Sequence, residues 1–286
     1  SQGAAVFDQS GAGTVEGLAD IEWFVPDAAQ AAEDVPAAYP NGCQQTELDS
    51  TPITCEYGDL DSETVIVVVG DSKVLQYESP LTRIAEDEGW HVISFTMSAC
   101  AFSTGMQARS GAPYTNCADW NDQVLDEVLD LKPDLLLNSQ RSNAALTDPT
   151  DPDSGDSDAM VDAVAERWQQ LADVGIPVAT IVDNPTPDLT VYECVADNPD
   201  DLAKCTFDRD EGTRTSAAPV QRAAAERVDN VTLIDLNDYI CPDEQCVPVI
   251  GNVLVYRQTS HLTDTYARTL EPELRKQLVP LLEAAG

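Results

Sequence analysis

The chain has 286 residues, of which 51 are Asp or Glu and 15 are Lys or Arg, giving a formal net charge of −36. Such a surface repels nucleic acid and anionic lipid and reads as a strongly hydrated exterior, suited to salt or to surroundings poor in polyanions. No stretch nears the roughly 18 to 20 apolar residues of a membrane span, and Ser1-Gln2-Gly3 lacks a basic-then-apolar signal pattern. The chain is therefore expected to be soluble as given, either a mature protein or an excised piece of one.

Residues 1–35, rich in Ala, Gly, Asp and Glu, read as a lead-in or linker that packs one aromatic patch, around Trp23 and Phe24, onto a body beginning at residue 36. Turn chemistry from Asp34 to Cys43 precedes Val65-Ile66-Val67-Val68-Val69-Gly70-Asp71-Ser72. Five apolar residues without polar alternation predict a central strand buried on both faces, and Ser72 falls where that strand hands over to a helix. The unpaired N–H groups of such a helix start favour negative charge, so a serine oxygen there suits acyl chemistry, although Asp71 or Ser72 could simply cap the helix.

A helix with a break at Pro80 is predicted to end near Gly89, followed by a strand over residues 90–96. A long loop from Met97 to Cys117 forms one wall of a cleft, and a helix over 120–131 leads to the strand Leu135-Leu136-Leu137. That strand delivers Asn138-Ser139-Gln140-Arg141 at its C-terminal end, where ligands bind in a doubly wound sheet. The acidic loop over 147–158 lacks the glycine and glutamate spacing of a calcium loop and reads as solvated. Helices over 159–172 and 216–228 alternate with strands over 176–182 and 231–235, and a last helix over 262–285 carries Leu270, Leu274, Leu278 and Leu282 on one core-facing stripe.

Eight cysteines fall into four local pairs: Cys43 and Cys55, Cys100 and Cys117, Cys194 and Cys205, Cys241 and Cys246. None has CxxC spacing, and only two histidines exist to help hold a metal, so four short-range disulfides in an oxidising compartment are expected, with no metal or other cofactor.

A serine nucleophile needs a base. His91 opens a strand on the edge opposite the predicted cleft and reads as structural, which leaves His261 at the start of the last helix. Serine early and histidine late is an order that can meet across the C-terminal rim of one sheet.

These residues resemble the SGNH hydrolases, and within them the extracytoplasmic C-terminal domain fused after the membrane part of acyltransferase-three proteins. The resemblance is carried by Gly70-Asp71-Ser72 with Gln76, Ser98-Ala99-Cys100, Cys117 with Trp120-Asn121, Pro133-Asp134-Leu135, Asp183-Asn184-Pro185, and the run from Cys246 to Arg257 leading into Ser260-His261-Leu262-Thr263. It implies a three-layer α/β/α, flavodoxin-like sandwich with a mainly parallel sheet, in a chain detached from a longer membrane protein. It further implies O-acyl, and specifically acetyl, transfer through Ser72 and His261 to a cell-envelope glycan or glycolipid, the acyl donor being presented by the membrane domain of the same full-length chain.

Two positions depart from the family. Lys73 stands where a histidine usually follows the serine, and Gln258 occupies the triad acid position three residues before the base. A glutamine can orient an imidazole but supplies no charge for the imidazolium, so activity is expected to be impaired unless Asp264 or Asp183 substitutes. Ser98 and Asn138, at the ends of the second and third strands, are candidates for the oxyanion or substrate site beside the Ser72 N–H. A binding or regulatory module that has lost catalysis, and a secreted carbohydrate esterase, are the alternatives.

Overall fold

The computed structural model describes residues 2–7 and 12–283. Seven strands form the central sheet: β1 (Gln44–Gln45), β2 (Cys55–Gly58), β3 (Val65–Gly70), β4 (His91–Met97), β5 (Leu135–Ser139), β6 (Val178–Ile181) and β7 (Val231–Ile234). Their spatial order is β1-β4-β3-β5-β6-β7, parallel throughout, while β2 runs antiparallel on the first half of β4. The expected three-layer sandwich with a mainly parallel sheet is thus present.

The valine run sits near the middle of this sheet because it can be buried on both sides. Ile66 and Val68 face one core together with Leu135, Leu137 and Ile181; Val67 and Val69 face the other with Phe95, Leu136 and Val178. Helices close both faces. On the first lie α2 (Glu78–Glu88), through Leu81 and Ile84, and the C-terminal pair α8 (Asp264–Thr269) and α9 (Glu271–Glu283), through Tyr266, Leu274 and Leu278. On the second lie α3 (Thr115–Leu131), through Trp120 and Val124, α4 (Ser157–Ala172), through Val164 and Trp168, and α7 (Ala218–Ala225), through Val220; the short α5 (Val191–Asp197) and α6 (Arg209–Thr215) fall in the chain between β6 and α7.

The connection leaving β3 crosses one face and the connection leaving β5 crosses the other. These neighbouring strands therefore open a crevice at their C-terminal ends, the switch point at which doubly wound sheets bind ligands. Ser72 and Arg141 stand on its two lips.

Several boundaries differ from the sequence expectation for local reasons. A short helix α1 (Ser72–Leu75) precedes α2, and Pro80 lies in the first turn of α2, where its missing N–H costs nothing; Gly89 closes that helix at φ 71°. The last helix is two, divided at Leu270, with Pro272 again in a first turn; Leu270, Leu274 and Leu278 are buried as expected, and Ala285 lies outside the described residues. The lead-in is woven into the body through short 3₁₀ turns: Ala4, Val6, Leu18, Ala28 and Ala31 join the first core, whereas Trp23 is 54% exposed. The acidic loop turns between two-residue strands at Ala145–Leu146 and Gly155–Asp156, and Asp148 and Ser154 tie it to itself.

All four local cysteine pairs are disulfides: Cys43–Cys55, Cys100–Cys117, Cys194–Cys205 and Cys241–Cys246. The first ties β2 to the segment entering β1, an edge that the valine pattern could not announce.

Gly70 is required where β3 meets β5. A Cβ there would lie 2.4 Å from the main-chain oxygen of Ser139, at a φ of +153°. Gly70→Ala is expected to lower stability by about 1–3 kcal/mol, as overpacked sites do, with the midpoint of urea unfolding as the measurement.

Candidate active site

Asp71 ends the handover from β3 by capping α1. Its carboxylate accepts from the Lys73 N–H at 2.9 Å and, with the other oxygen, from the Arg141 N–H at 2.8 Å, joining the lips of the crevice. Full burial raises its pKa to about 6 against these two hydrogen bonds. Ser72 is held beside it, half-buried, and its Oγ lies 2.7 Å from Nε2 of His261 across 189 positions of sequence. His91 is far from this point, paired with Glu56 at the opposite end of β4.

The loop that brings His261 in is fixed from below. Lys73, fully buried, sends its ammonium 2.7 Å to Asn184 Oδ1, 2.8 Å to the Ser260 carbonyl and 3.0 Å to Asp183 Oδ1. Gln76 accepts the Leu262 N–H at 3.0 Å and donates to Asn184 Oδ1 at 3.1 Å. Residues on the first turns after β3 therefore clamp the main chain on both sides of the histidine. Lys73 is pushed down in pKa by burial and held up by Asp183, with which it forms a buried ion pair.

Among the described residues no carboxylate touches the imidazole. Nδ1 faces the main-chain carbonyl of Gln258 and the hydroxyl of Thr259, both at 3.1 Å. With Nε2 accepting from the serine, Nδ1 carries the proton and donates to these two oxygens. The side chain of Gln258 is exposed and makes no hydrogen bond among the described residues. The two possible replacement acids are engaged elsewhere: Asp183 holds Lys73 and the Ala217 N–H, and Asp264 holds Arg268. Burial, then Lys73 and Arg257, push His261 well below the ordinary histidine value of 6.5. The imidazole is accordingly neutral and available as a base.

Thr259 sits at φ +51°, a left-handed conformation unfavourable for a β-branched residue. In that position its hydroxyl also accepts from Arg141 Nη1 at 3.3 Å, so one oxygen serves both the histidine and an arginine. The sequence offered no signal for this role, since a threonine two residues before a histidine carries no spacing rule.

A cleft of about 450 Å³ surrounds the pair, with Ser98, Ala99, Arg109, Arg141, Arg257 and Gln258 among its walls. Ser98 lines it, but its N–H is consumed by the Gln45 carbonyl at 2.9 Å. Asn138 is buried within β5, outside the cleft walls, with its amide unpartnered. The N–H groups of Ser72 and of Ala99, at φ +51°, have no hydrogen-bond partner among the described residues and belong to two walls of one cleft. A left-handed residue after the second strand was not something the sequence could indicate.

Lys73→Met leaves Asp183 buried without its cation. It is expected to cost about 3–5 kcal/mol of folding stability, read from chemical denaturation, and to release the His261 loop.

A family model described as "SGNH domain (fused to AT3 domains)" matches residues 42–276. Among solved structures, the periplasmic domain of a lipopolysaccharide acetyltransferase from Salmonella ser. Paratyphi A superposes with a TM-score of 0.58 at 13% identity, covering 85% of this chain and 88% of that one. A putative acylhydrolase from Bacteroides fragilis gives a TM-score of 0.47 at 11% identity, over 79% of this chain and 91% of that one. No curated protein matches the chain by sequence. The family match spans most of the chain and contains the serine, the histidine and every element that positions them, and the chain belongs to the family of SGNH domains fused to AT3 domains.

Proposed function

We propose that the protein is an extracytoplasmic serine acyltransferase that moves an acyl group, acetyl in the simplest case, onto a hydroxyl of a cell-envelope glycan or glycolipid. The observation that carries this reading is the 2.7 Å contact between Ser72 Oγ and His261 Nε2 at the switch point of the sheet. Membership in a family fused to AT3 domains supports an acyl source in a membrane domain of the same full-length protein, which would also tether this domain to the membrane.

In the first half-reaction, neutral His261 takes the Ser72 proton as Oγ bonds to the acyl carbonyl carbon. The resulting oxyanion is received by the Ser72 and Ala99 N–H groups, and the imidazolium returns the proton to the leaving group as the acyl–donor bond breaks. In the second, the histidine deprotonates the acceptor hydroxyl as its oxygen bonds to the acyl carbon, and the imidazolium returns that proton to Ser72 Oγ as the acyl–Oγ bond breaks. Gln258 O and Thr259 Oγ1 hold the ring in the productive tautomer throughout. Neither brings a negative charge, so the imidazolium is poorly stabilised and turnover is slow compared with a complete triad. An esterase would differ only in using water in the second half-reaction. The missing carboxylate also favours one further reading, a glycan-binding module without turnover.

Stopped-flow mixing with p-nitrophenyl acetate is expected to give a burst of nitrophenol that Ser72→Ala and His261→Ala abolish. Gln258→Asp should raise kcat/KM by about tenfold or more. A wild type that binds glycan and never acylates Ser72 would favour the binding module. Water or added sugar as the acetyl acceptor, read by mass spectrometry of the products, separates esterase from transferase. Because the base acts in its neutral form and its pKa is depressed, kcat/KM should stay flat from neutral pH down through 6.5 and fall only in more acid solution. Gln258→Asp, which places a negative charge beside the ring, should move that acid limb to higher pH.

A further inference from the structure

Eight of the eleven arginines hold a carboxylate, as an acidic chain makes easy: Arg109, Arg167, Arg209, Arg214, Arg222, Arg227, Arg268 and Arg275. Arg83, Arg141 and Arg257 have none among the described residues, and two of these three line the cleft that contains Ser72 and His261. Arg257 is 3% exposed. Its guanidinium donates to the Leu262 carbonyl at 3.1 Å and the Tyr39 hydroxyl at 3.3 Å and lies 5.4 Å over the Tyr39 ring. The Arg141 guanidinium donates only to the hydroxyls of Thr259 and Ser260 among the described residues, both at 3.3 Å.

A guanidinium buried beside neutral oxygens and an aromatic face retains most of its desolvation cost, and in a chain with 51 acidic residues the lack of a counter-charge is a local choice. Arg141 also separates the cleft from a side pocket of about 230 Å³ whose walls include Ser142, Asn143, Thr186 and Thr215. Short hydroxyl and amide side chains of this kind suit the hydroxyls of a sugar.

We propose that the ligand reacting at Ser72 is an acidic sugar, whose carboxylate or phosphate docks on Arg141 and Arg257 while its hydroxyls reach the side pocket. This rests on the acyl-transfer reading and names its substrate class. It also gives the missing acid at position 258 a counterpart. Arg141 is two hydrogen bonds from His261 Nδ1 through Thr259, so an anion bound there neutralises positive charge that otherwise disfavours the imidazolium.

Calorimetric titration of the Ser72→Ala protein, which cannot be acylated, with glucuronate, glucose 6-phosphate and glucose at one ionic strength tests the assignment. At least one acidic sugar is expected to bind tenfold or more tightly than glucose, glucuronate alone marking a carboxylate ligand and glucose 6-phosphate alone a phosphate. Adding Arg141→Gln or Arg257→Gln should erase that preference; Arg141 is exposed, so its replacement keeps the test open should the buried Arg257 variant not fold. Equal affinity for all three sugars, no binding of either acidic sugar, or a preference that survives Arg141→Gln overturns the proposal. The wild-type nitrophenol burst is read separately: acylation of Ser72 without acidic-sugar binding removes this inference and leaves the transferase, whereas binding without acylation removes the transferase, and with it the reaction named here, and leaves only an acidic-sugar site in the cleft.

Discussion

The active arrangement depends on one buried ammonium. Lys73 follows Ser72 directly, yet its side chain runs inward to the end of β6 and to the carbonyl that precedes the histidine. Three pieces of chain far apart in sequence, the turn after β3, Asp183 with Asn184, and the loop before α8, are therefore cross-linked at a single atom. The serine and histidine face one another because their neighbours share that atom and because Gln76 repeats the bond one turn later. A charge in this position is costly to bury and stays only because Asp183 is buried with it.

That network also explains how a site without its usual acid keeps its geometry. Orientation and charge are separate services of a triad carboxylate. Here orientation comes from a main-chain carbonyl and from a threonine in a left-handed conformation, both determined by the clamp on the loop. Charge is not replaced by the protein: the groups around the ring are Lys73, Arg141 and Arg257, all cations. The imidazole is consequently well placed beside Ser72 and poorly disposed to carry a charge, a combination that suits the proposed reaction if its substrate completes the electrostatics.

Much of this was legible in the residues, and the parts that were not share a cause. The valine run announced a two-faced central strand because five β-branched residues without alternation, closed by a glycine, fit a strand covered on both sides better than a buried helix segment. Only two histidines exist, so His261 followed from the topology as the residue able to reach Ser72. The cysteines paired with their neighbours, as loops closed early in a chain do. The lead-in, by contrast, contributes scattered small and aliphatic residues to the first core, because its 3₁₀ turns of four to six residues are too short to repeat a pattern. Lys73 could be read from the sequence only as a departure from the histidine of the resembled family; its burial is decided by Asp183 over a hundred positions away. Main-chain donors such as Ala99 and main-chain acceptors such as Gln258 O have no residue type to betray them.

An exterior so acidic around a crevice lined by Arg141 and Arg257 would sort ligands by valence. Repulsion from the whole surface grows with the number of negative charges a molecule carries, while the reward inside is capped at what two guanidiniums can neutralise. A small monoanion crosses that barrier at modest cost and recovers it on arrival; a long polyanion pays at every charge and recovers at only two. Dissolved salt lowers the outer barrier over a Debye length of roughly 8 Å at physiological strength and leaves the sheltered contacts largely intact. The same protein would thus admit heavier anions in brine than in dilute buffer.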